Sequence, residues 1–384
     1  MSGRLVRWVC TVAVTGALLT PLPASAAPGP EPRPGPGGTR SVADLLSDLQ
    51  RLYQDAEAAT ETYNATEEAL KERRKSADDL AKKLAAARSS LHNSRTDAGR
   101  LAREQYQGHS EFSPYLRLLL ARDPQRALDE GHVMRRAARE RQATVERLTG
   151  REKKADTLAT KARGALDEQL RLAERQKKER DAVQDRLKEV EQLLASLTAD
   201  QLADVARLEA QGTTRAQQAF MASGALSSTG RAPSQAGDEA LSYAVRQIGK
   251  PYVWGAEGPD SFDCSGLTSQ AWAHAGRVIP RTSQEQWASL PRVPMSELRP
   301  GDLVIYFPKA THVAMYLGDG MVVQAPRPGT RVKVSPIAAN PLLGAVRPDP
   351  GAPPMPGYRA PTLPDGAKAG ADTGYGAAGA PGGG

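Results

Sequence analysis

The sequence predicts two structural parts: a long antiparallel helical hairpin, and a small α+β domain in which a helix carrying a cysteine packs on an antiparallel sheet. Residues 41–211 are rich in Ala, Leu, Glu, Lys and Arg, with apolar side chains at heptad spacing. Residues 237–349 combine short amphipathic segments with alternating apolar runs, which are typical of a mixed domain. The remaining segments are rich in Pro and Gly and predict no core.

The N-terminal residues have the layout of a secretory signal peptide. Two arginines precede the apolar run 8–19, and the small-residue triplet 24–26 follows it. The run is shorter than the ~20 residues of a membrane-spanning helix. We therefore expect residues 1–26 to be removed near Ala26, which predicts a secreted or cell-wall protein. Residues 27–40 predict a Pro/Gly-rich tether.

A heptad seam predicts that residues 41–211 form a coiled-coil arm. The pattern breaks at residues 108–124, where Asp123 and Pro124 can start a second helix. Two helices of ~65 residues make an arm on the order of 100 Å long. Either a spacer, or a regulatory arm that docks on a partner or covers an active site, fits this pattern. The seam positions of the first helix are Leu49, Ala56, Tyr63, Leu70, Ala77, Leu84 and Leu91.

The other segments and the net charge narrow the possible functions. Residues 212–236 predict a flexible linker, and residues 350–384 predict a disordered tail rich in Pro, Gly and Ala. The net charge of +7 forms no dense basic stripe interleaved with aromatic residues. Nucleic-acid binding is therefore a poor interpretation.

Cys264 is the single cysteine that remains after removal of the leader. It opens a predicted helix, with Asp263 at the N-cap position. The N-terminus of a helix stabilises thiolate over thiol, and its free N–H groups can hold a developing oxyanion. These features predict a nucleophile that needs a histidine partner.

Elimination among the five histidines selects His312 as that partner. His92, His109 and His132 lie in the arm, where surface roles are expected. His274 lies about 15 Å along the same helix from the thiol. His312 begins a predicted strand.

A third group, which orients the imidazole, is expected on the neighbouring strand. Pairing through a three-residue loop, 318–320, places His312 and Gln324 on one face of the sheet. A two-residue turn at Asp319-Gly320 shifts the register and sends Gln324 to the opposite face. Local sequence leaves both registers open.

Several motifs together resemble the NlpC-type peptidoglycan endopeptidases, a papain-like cysteine peptidase family of bacterial cell walls. They cover about 110 residues in order: PYVWG, FDCSGL, PRTSQEQ, LRPGDLVIYF and THVAMYLGDGMVVQAP. The helical arm resembles that of actinobacterial members. The resemblance implies a papain-like fold and cleavage of the stem-peptide bond between D-γ-glutamate and the next diamino acid.

The resemblance also implies residue roles. Cys264 is the nucleophile, His312 the base and Gln324 the orienting residue, although family members commonly carry histidine, and some related wall hydrolases glutamate, at that last position. It also favours the three-residue loop. No metal or cofactor is expected. The residues implied to line the substrate side of the cleft are Tyr252, Asp263, Ser265, Arg281 and Ser283.

The expected partners are peptidoglycan stem peptides and, for the arm, a membrane or divisome protein. Two alternative functions stay open. An amidase or acyltransferase of the same fold would share the thiolate and the histidine. A non-catalytic wall adaptor would not need the complete set of Cys264, His312 and Gln324.

Overall fold

The computed structural model describes residues 41–107, 124–226 and 231–370. The predicted signal peptide, the tether, residues 108–123 where the heptad pattern breaks, and the last part of the tail lie outside the described residues. None of the helices within the described ranges is long and apolar enough to cross a membrane.

The predicted helical hairpin is confirmed. Helix α1 spans Val42–Gln107 and α2 spans Pro124–Ala195. The helices are antiparallel, since Arg95 lies 3.0 Å from Glu152 while Arg73, nearer the start of α1, lies 3.1 Å from Glu168. The end of the hairpin formed by the start of α1 and the end of α2 is closed by an apolar cluster. Its buried members are Leu45, Leu49, Tyr53, Val190 and Val205.

A third helix corrects the expected linker at 212–236. Helix α3 spans Ala199–Ala222, and Thr198 caps its start with a capping box. Gln217, inside the expected linker, donates to the Gly320 carbonyl oxygen at 3.0 Å and accepts from the Ala338 amide at 3.1 Å. The first half of the segment is therefore helical because it has its own cap and docks on the C-terminal domain.

The C-terminal domain has the predicted α+β architecture. Three helices precede and flank a six-stranded antiparallel sheet, whose strand order is β1-β6-β2-β3-β4-β5. Short 3₁₀ turns span Met295–Glu297 and Ile337–Ala339. The elements are α4 Gln235–Arg246, α5 Cys264–His274, α6 Ser283–Ser289, β1 Arg292–Val293, β2 Leu303–Tyr306, β3 His312–Gly318, β4 Met321–Gln324, β5 Lys333–Pro336 and β6 Leu342–Val346.

The β3–β4 hairpin combines both registers that the sequence left open. Its tip is a two-residue turn in which Asp319 and Gly320 have φ of 50° and 69°, as a type I′ turn requires. A bulge at Leu317 then shifts the register back, so that Tyr316 pairs with Val322. His312 and Gln324 consequently share a face.

Both faces of the sheet are covered. Leu241 of α4, Trp272 of α5 and Met315 of β3 are buried in the main core. On the opposite face, Phe220 of α3 packs against a second cluster that contains Tyr316. Helix α3 therefore ties the arm to the C-terminal domain.

The expectation of a disordered tail is wrong for residues 350–370. This segment runs over the domain, where the Met355 amide donates to the Pro233 carbonyl oxygen at 2.8 Å. The Val334 amide of β5 donates to the Ala367 carbonyl oxygen at 2.9 Å, and Ala367 is buried. Backbone hydrogen bonds, rather than large apolar side chains, fix this part of the tail.

Candidate active site

Cys264 is the first residue of α5 and is 2% exposed. Asp263 caps the helix as predicted, since its Oδ1 accepts from the Gly266 amide at 2.6 Å. The backbone of Val313, the second residue of β3, hydrogen bonds to the thiol. The thiol therefore lies between the N-terminus of α5 and the start of β3.

Gly266 is required by the close approach of α5 to the preceding loop. A Cβ at this position would lie 2.2 Å from the carbonyl oxygen of Ala256. We expect Gly266→Ala to lower the stability of the catalytic domain by about 1–3 kcal/mol, since backbone must shift to admit it. Gly164→Ala on α2 is the control, because its Cβ meets nothing within 4 Å.

Thermal unfolding followed by tryptophan fluorescence measures this effect. Once the leader has been removed, all tryptophans lie in the catalytic domain, so the signal reports that domain. Equal midpoints for Gly266→Ala and the parent would contradict the predicted clash.

His312 and Gln324 form the predicted pair. His312 Nε2 donates to Gln324 Oε1 at 2.7 Å, because an amide oxygen can only accept. Both residues are buried, and burial lowers the pKa of His312 to about 4, although the bond to Gln324 raises it. The imidazole is therefore neutral and is held in the tautomer that leaves Nδ1 unprotonated.

The predicted substrate residues are brought together beside the thiol. Arg281 binds both carboxylate oxygens of Asp263, at 3.1 and 2.7 Å, and donates to Ser265 Oγ at 2.8 Å. Tyr252 is buried, and burial raises its pKa well above the usual value, with the charges of Cys264 and Asp263 adding to the effect. These residues form one connected polar wall.

Ser283 contributes to the cleft through its backbone. Its Oγ donates to the Ala310 carbonyl oxygen at 2.7 Å, so the side chain is engaged away from the thiol. Its amide N–H instead donates to a carboxylate oxygen of Glu61 at 2.6 Å.

Glu61 belongs to α1, which fills the cleft. Its other carboxylate oxygen accepts from Ser265 Oγ at 2.8 Å and from the Cys264 thiol at 3.9 Å. Glu61 is 1% exposed. An arm carboxylate thus occupies the space directly beside the Cys264 thiol.

Residues on the neighbouring turns of α1 also contact the cleft. We call the residues of α1 that contact the cleft the cover. Glu57 Oε1 lies 3.6 Å from His312 Nδ1, one turn before Glu61. Asn64, one turn after Glu61, donates to Asp263 Oδ2 at 3.0 Å. Helix α1 therefore contacts the imidazole, the thiol and the Asp263 carboxylate in the order of its own sequence.

Further contacts widen the covered area beyond the catalytic residues. Tyr63 packs edge-on against Trp254, with ring centroids 5.0 Å apart. Lys71 lies 3.2 Å from Glu257, whose carboxylate is also 3.4 Å from Arg281. The cover thus reaches from the imidazole to the far end of the polar wall.

The covered site holds its catalytic groups in their neutral forms. Burial raises the pKa of the Cys264 thiol well above its usual value, and Glu61, Asp263 and Glu57 raise it further. With the pKa of His312 lowered by burial, a thiolate–imidazolium pair is disfavoured. In this state the arm blocks the cleft and also suppresses the charge separation that nucleophilic attack requires.

Sequence reasoning missed the three arm residues Glu57, Glu61 and Asn64. The signal was present as polar residues at the spacing of one helical turn, on a face of α1 beside the apolar seam. Without the fold, such residues are indistinguishable from a solvated face.

Comparisons with known proteins assign the domain. Residues 249–343 match the NlpC/P60 family. A probable endopeptidase of Corynebacterium glutamicum is 44% identical over 117 residues, which are 30% of this chain and 56% of that protein. The peptidoglycan endopeptidase RipA of Mycolicibacterium smegmatis is 40% identical over 129 residues, which are 29% of this chain and 26% of that protein.

Among solved structures, RipD of Mycobacterium tuberculosis is described as a non-catalytic NlpC/p60 domain protein adapted to peptidoglycan binding. It is 33% identical, with 30% of this chain and 98% of that chain covered and a TM-score of 0.27. The chain spans about half the length of the Corynebacterium relative. Through its C-terminal domain, the chain belongs to the NlpC/P60 family.

Proposed function

We propose that the chain is a secreted thiol endopeptidase of peptidoglycan. It cleaves the stem-peptide bond between D-γ-glutamate and the following diamino acid, and its arm keeps it latent. The observation that carries the proposal is the placement of Cys264 at the start of α5, beside the strand that begins with His312. The 2.7 Å bond from His312 to Gln324 supports it, as do relatives named endopeptidases.

In the open cleft, His312 takes the thiol proton at Nδ1 and the Cys264 sulfur attacks the scissile carbonyl carbon. Backbone N–H groups at the start of α5 stabilise the oxyanion. The imidazolium then protonates the leaving amine, and a thioester forms. Water, deprotonated by His312, hydrolyses the thioester and restores the thiol.

The arm must move before substrate can enter, because Glu57 and Glu61 occupy the space beside the imidazole and the thiol. Some buried polar atoms where the cover meets the cleft lack a hydrogen-bond partner among the described residues. Among the described protein atoms, Glu57 Oε2, Asn64 Oδ1 and His312 Nδ1 are buried without a hydrogen-bond partner. Such groups weaken the closed state, which suits a cover that opens rather than a permanent fold element.

Closure by Glu61 is expected to weaken as the pH rises. Burial, together with the charge of Asp263, raises the pKa of Glu61 to about 7 in the covered state, from a usual value of 4.5. The covered state therefore binds more protons than the open state between these values. Ser265, the Ser283 amide and Arg281 lower this pKa, and the other ionisable groups facing the carboxyl are Cys264 and Glu57.

The measurement is the alkylation rate of Cys264 between pH 5 and 8 in the full mature chain, divided by the rate in Glu61→Gln. The division removes the titration of the thiol itself. The ratio should increase with pH, because deprotonation of Glu61 favours opening. A ratio that is flat, or that falls, would contradict this linkage.

The proposed activity is tested by incubating defined muropeptides with the full mature chain, with Glu61→Arg, and with the same variant carrying Cys264→Ala. Mass spectrometry identifies the products. Cleavage after D-glutamate by the first two proteins, faster in Glu61→Arg and absent in Cys264→Ala, is the expected result. Cleavage of a different bond would favour the amidase alternative, and binding without cleavage would favour the adaptor.

A further inference from the structure

The contacts of helix α1 give the order in which groups of the C-terminal domain lie along the cleft. The inference drawn from this order rests on the proposed function. Glu61 lies beside the thiol and Glu57 beside His312. One turn earlier, the ring of Tyr53 lies under the guanidinium of Arg327, with Cζ 4.4 Å from the ring centroid. Eight residues of helix separate Tyr53 from Glu61, or about 12 Å. Arg327 therefore lies on the His312 side of the thiol, away from Arg281.

Arg327 is held in position by its own loop. It follows Gln324, the last residue of β4, by three positions. Its amide donates to Thr330 Oγ1 at 3.1 Å, and the Thr330 hydroxyl and amide donate to its carbonyl oxygen. This hydrogen-bonded turn belongs to the C-terminal domain, so the backbone position of Arg327 does not depend on the arm, whereas its guanidinium contacts Tyr53 and Glu209 of the arm in the covered state.

The guanidinium of Arg327 faces the catalytic groups. Its charge lowers the pKa values of both Glu57 and His312, although burial is the largest effect on each. Arg327 is 8% exposed. With Gln324 and Glu57 it lines a cavity of about 490 Å³ between the arm and the domain. The cleft thus continues past the histidine to this arginine.

An arm carboxylate approaches each end of the covered cleft. Glu61 reaches Ser265 and the Ser283 amide, beside the Asp263 carboxylate that binds Arg281. Glu209 of α3 lies 2.9 Å from Arg327. When the arm leaves, Arg327 loses this carboxylate while staying at the cleft, and a buried guanidinium is stable only with a compensating anion.

We propose that Arg327 is a carboxylate-binding subsite for the part of the substrate beyond the scissile amide, and that Glu209 fills it in the covered state. His312 protonates the leaving amine in the proposed mechanism, and Arg327 lies beyond His312 along the cleft, so Arg327 meets the amine side. That part of a stem peptide carries a C-terminal carboxylate and, where the diamino acid has a second carboxyl group, a side-chain carboxylate. Planar guanidinium binds either one in a bidentate manner.

The test measures binding without turnover. The full mature chain carries Cys264→Ala and Glu61→Arg, and titration calorimetry measures its Kd for one stem peptide in three forms. These have both carboxylates free, the side-chain carboxylate amidated, or the C-terminal carboxylate amidated. Thiol alkylation of Glu61→Arg with Cys264 retained first establishes that this background is open.

The free peptide should bind at least ~10-fold more tightly than one amidated form, which identifies the carboxylate that Arg327 holds; one such contact is worth about that factor. Arg327→Gln should abolish the difference, whereas Arg327→Lys should keep part of it. Arg331→Gln is the matched control. Arg331 is exposed on the same loop, where it donates to the Gly249 carbonyl oxygen.

The proposed subsite would be contradicted if the parent bound all three peptides equally or bound none of them. Equal weakening of all three peptides by Arg327→Gln would also contradict it. Failure of the proposed function has a different signature. In that case the chain with Cys264 cleaves no muropeptide, while the Arg327-dependent preference in binding persists.

Discussion

Replacement of Glu61 by arginine is expected to raise the endopeptidase activity of the full chain by about 100-fold. The carboxylate that accepts from Ser265, Ser283 and the thiol is then lost, and a second guanidinium is brought towards Arg281. Removing one partner of a buried charged contact costs about 3 kcal/mol, and each 1.36 kcal/mol corresponds to a factor of ten. The free energy of the open state, relative to the covered state, falls by that amount.

Glu72→Arg is the matched control for this prediction. It lies on the same helix and makes the same charge change, but its side chain is exposed. The readout is kcat/KM on a defined muropeptide under identical conditions. If Glu61→Arg and Glu72→Arg behave alike, the arm does not control access to the cleft through Glu61.

Replacement of His312 by alanine, in the open Glu61→Arg background, is expected to lower kcat/KM by about 1,000-fold. Proton transfer by a positioned side chain contributes typically 10²–10⁴-fold, and His312 is the first residue of β3, the strand that contacts the thiol. A small residual rate is expected from the oxyanion-binding amides.

Gln324→Ala should lower kcat/KM less than His312→Ala does. Gln324 fixes the ring by one neutral hydrogen bond of 2.7 Å, whose loss costs about 1 kcal/mol net, roughly a factor of five. It supplies no negative charge to stabilise an imidazolium. Equal losses in the two variants would show that the ring cannot act at all without Gln324.

Local sequence was sufficient for the parts of the site whose causes are local. Asp263 is a helix cap three residues before Gly266, and this pattern predicts the start of α5. His312 followed from elimination. The face of the sheet on which Gln324 lies was harder to predict, because the Asp319-Gly320 turn and the bulge at Leu317 have opposite effects on the strand register. Only the paired strands show that these effects cancel.

The cover could not be predicted from local sequence, because its partners are distant along the chain. Asn64 and Asp263 are 199 positions apart, and Glu61 and Ser283 are 222 apart. Heptad analysis describes how α1 packs on α2, and it is silent about the remaining faces of α1.

The contacts of α1 also bear on the role of the arm. A spacer needs no buried polar residues facing a catalytic cleft. Burying the carboxyl groups of Glu57 and Glu61 costs free energy, and a spacer would gain nothing from that cost. Their alignment with His312 and Cys264 therefore favours a regulatory arm. Release by a partner, by force in the wall or by proteolysis would act on this same interface.

The most direct test of the account is the alkylation rate of Cys264 in the folded mature chain, measured with iodoacetamide at neutral pH. Cys264 is the single thiol of the chain without its leader, so no other site contributes. The parent and Glu72→Arg should react at least ~100-fold more slowly than Glu61→Arg. Equally fast alkylation of all three proteins would contradict a cysteine covered by the arm.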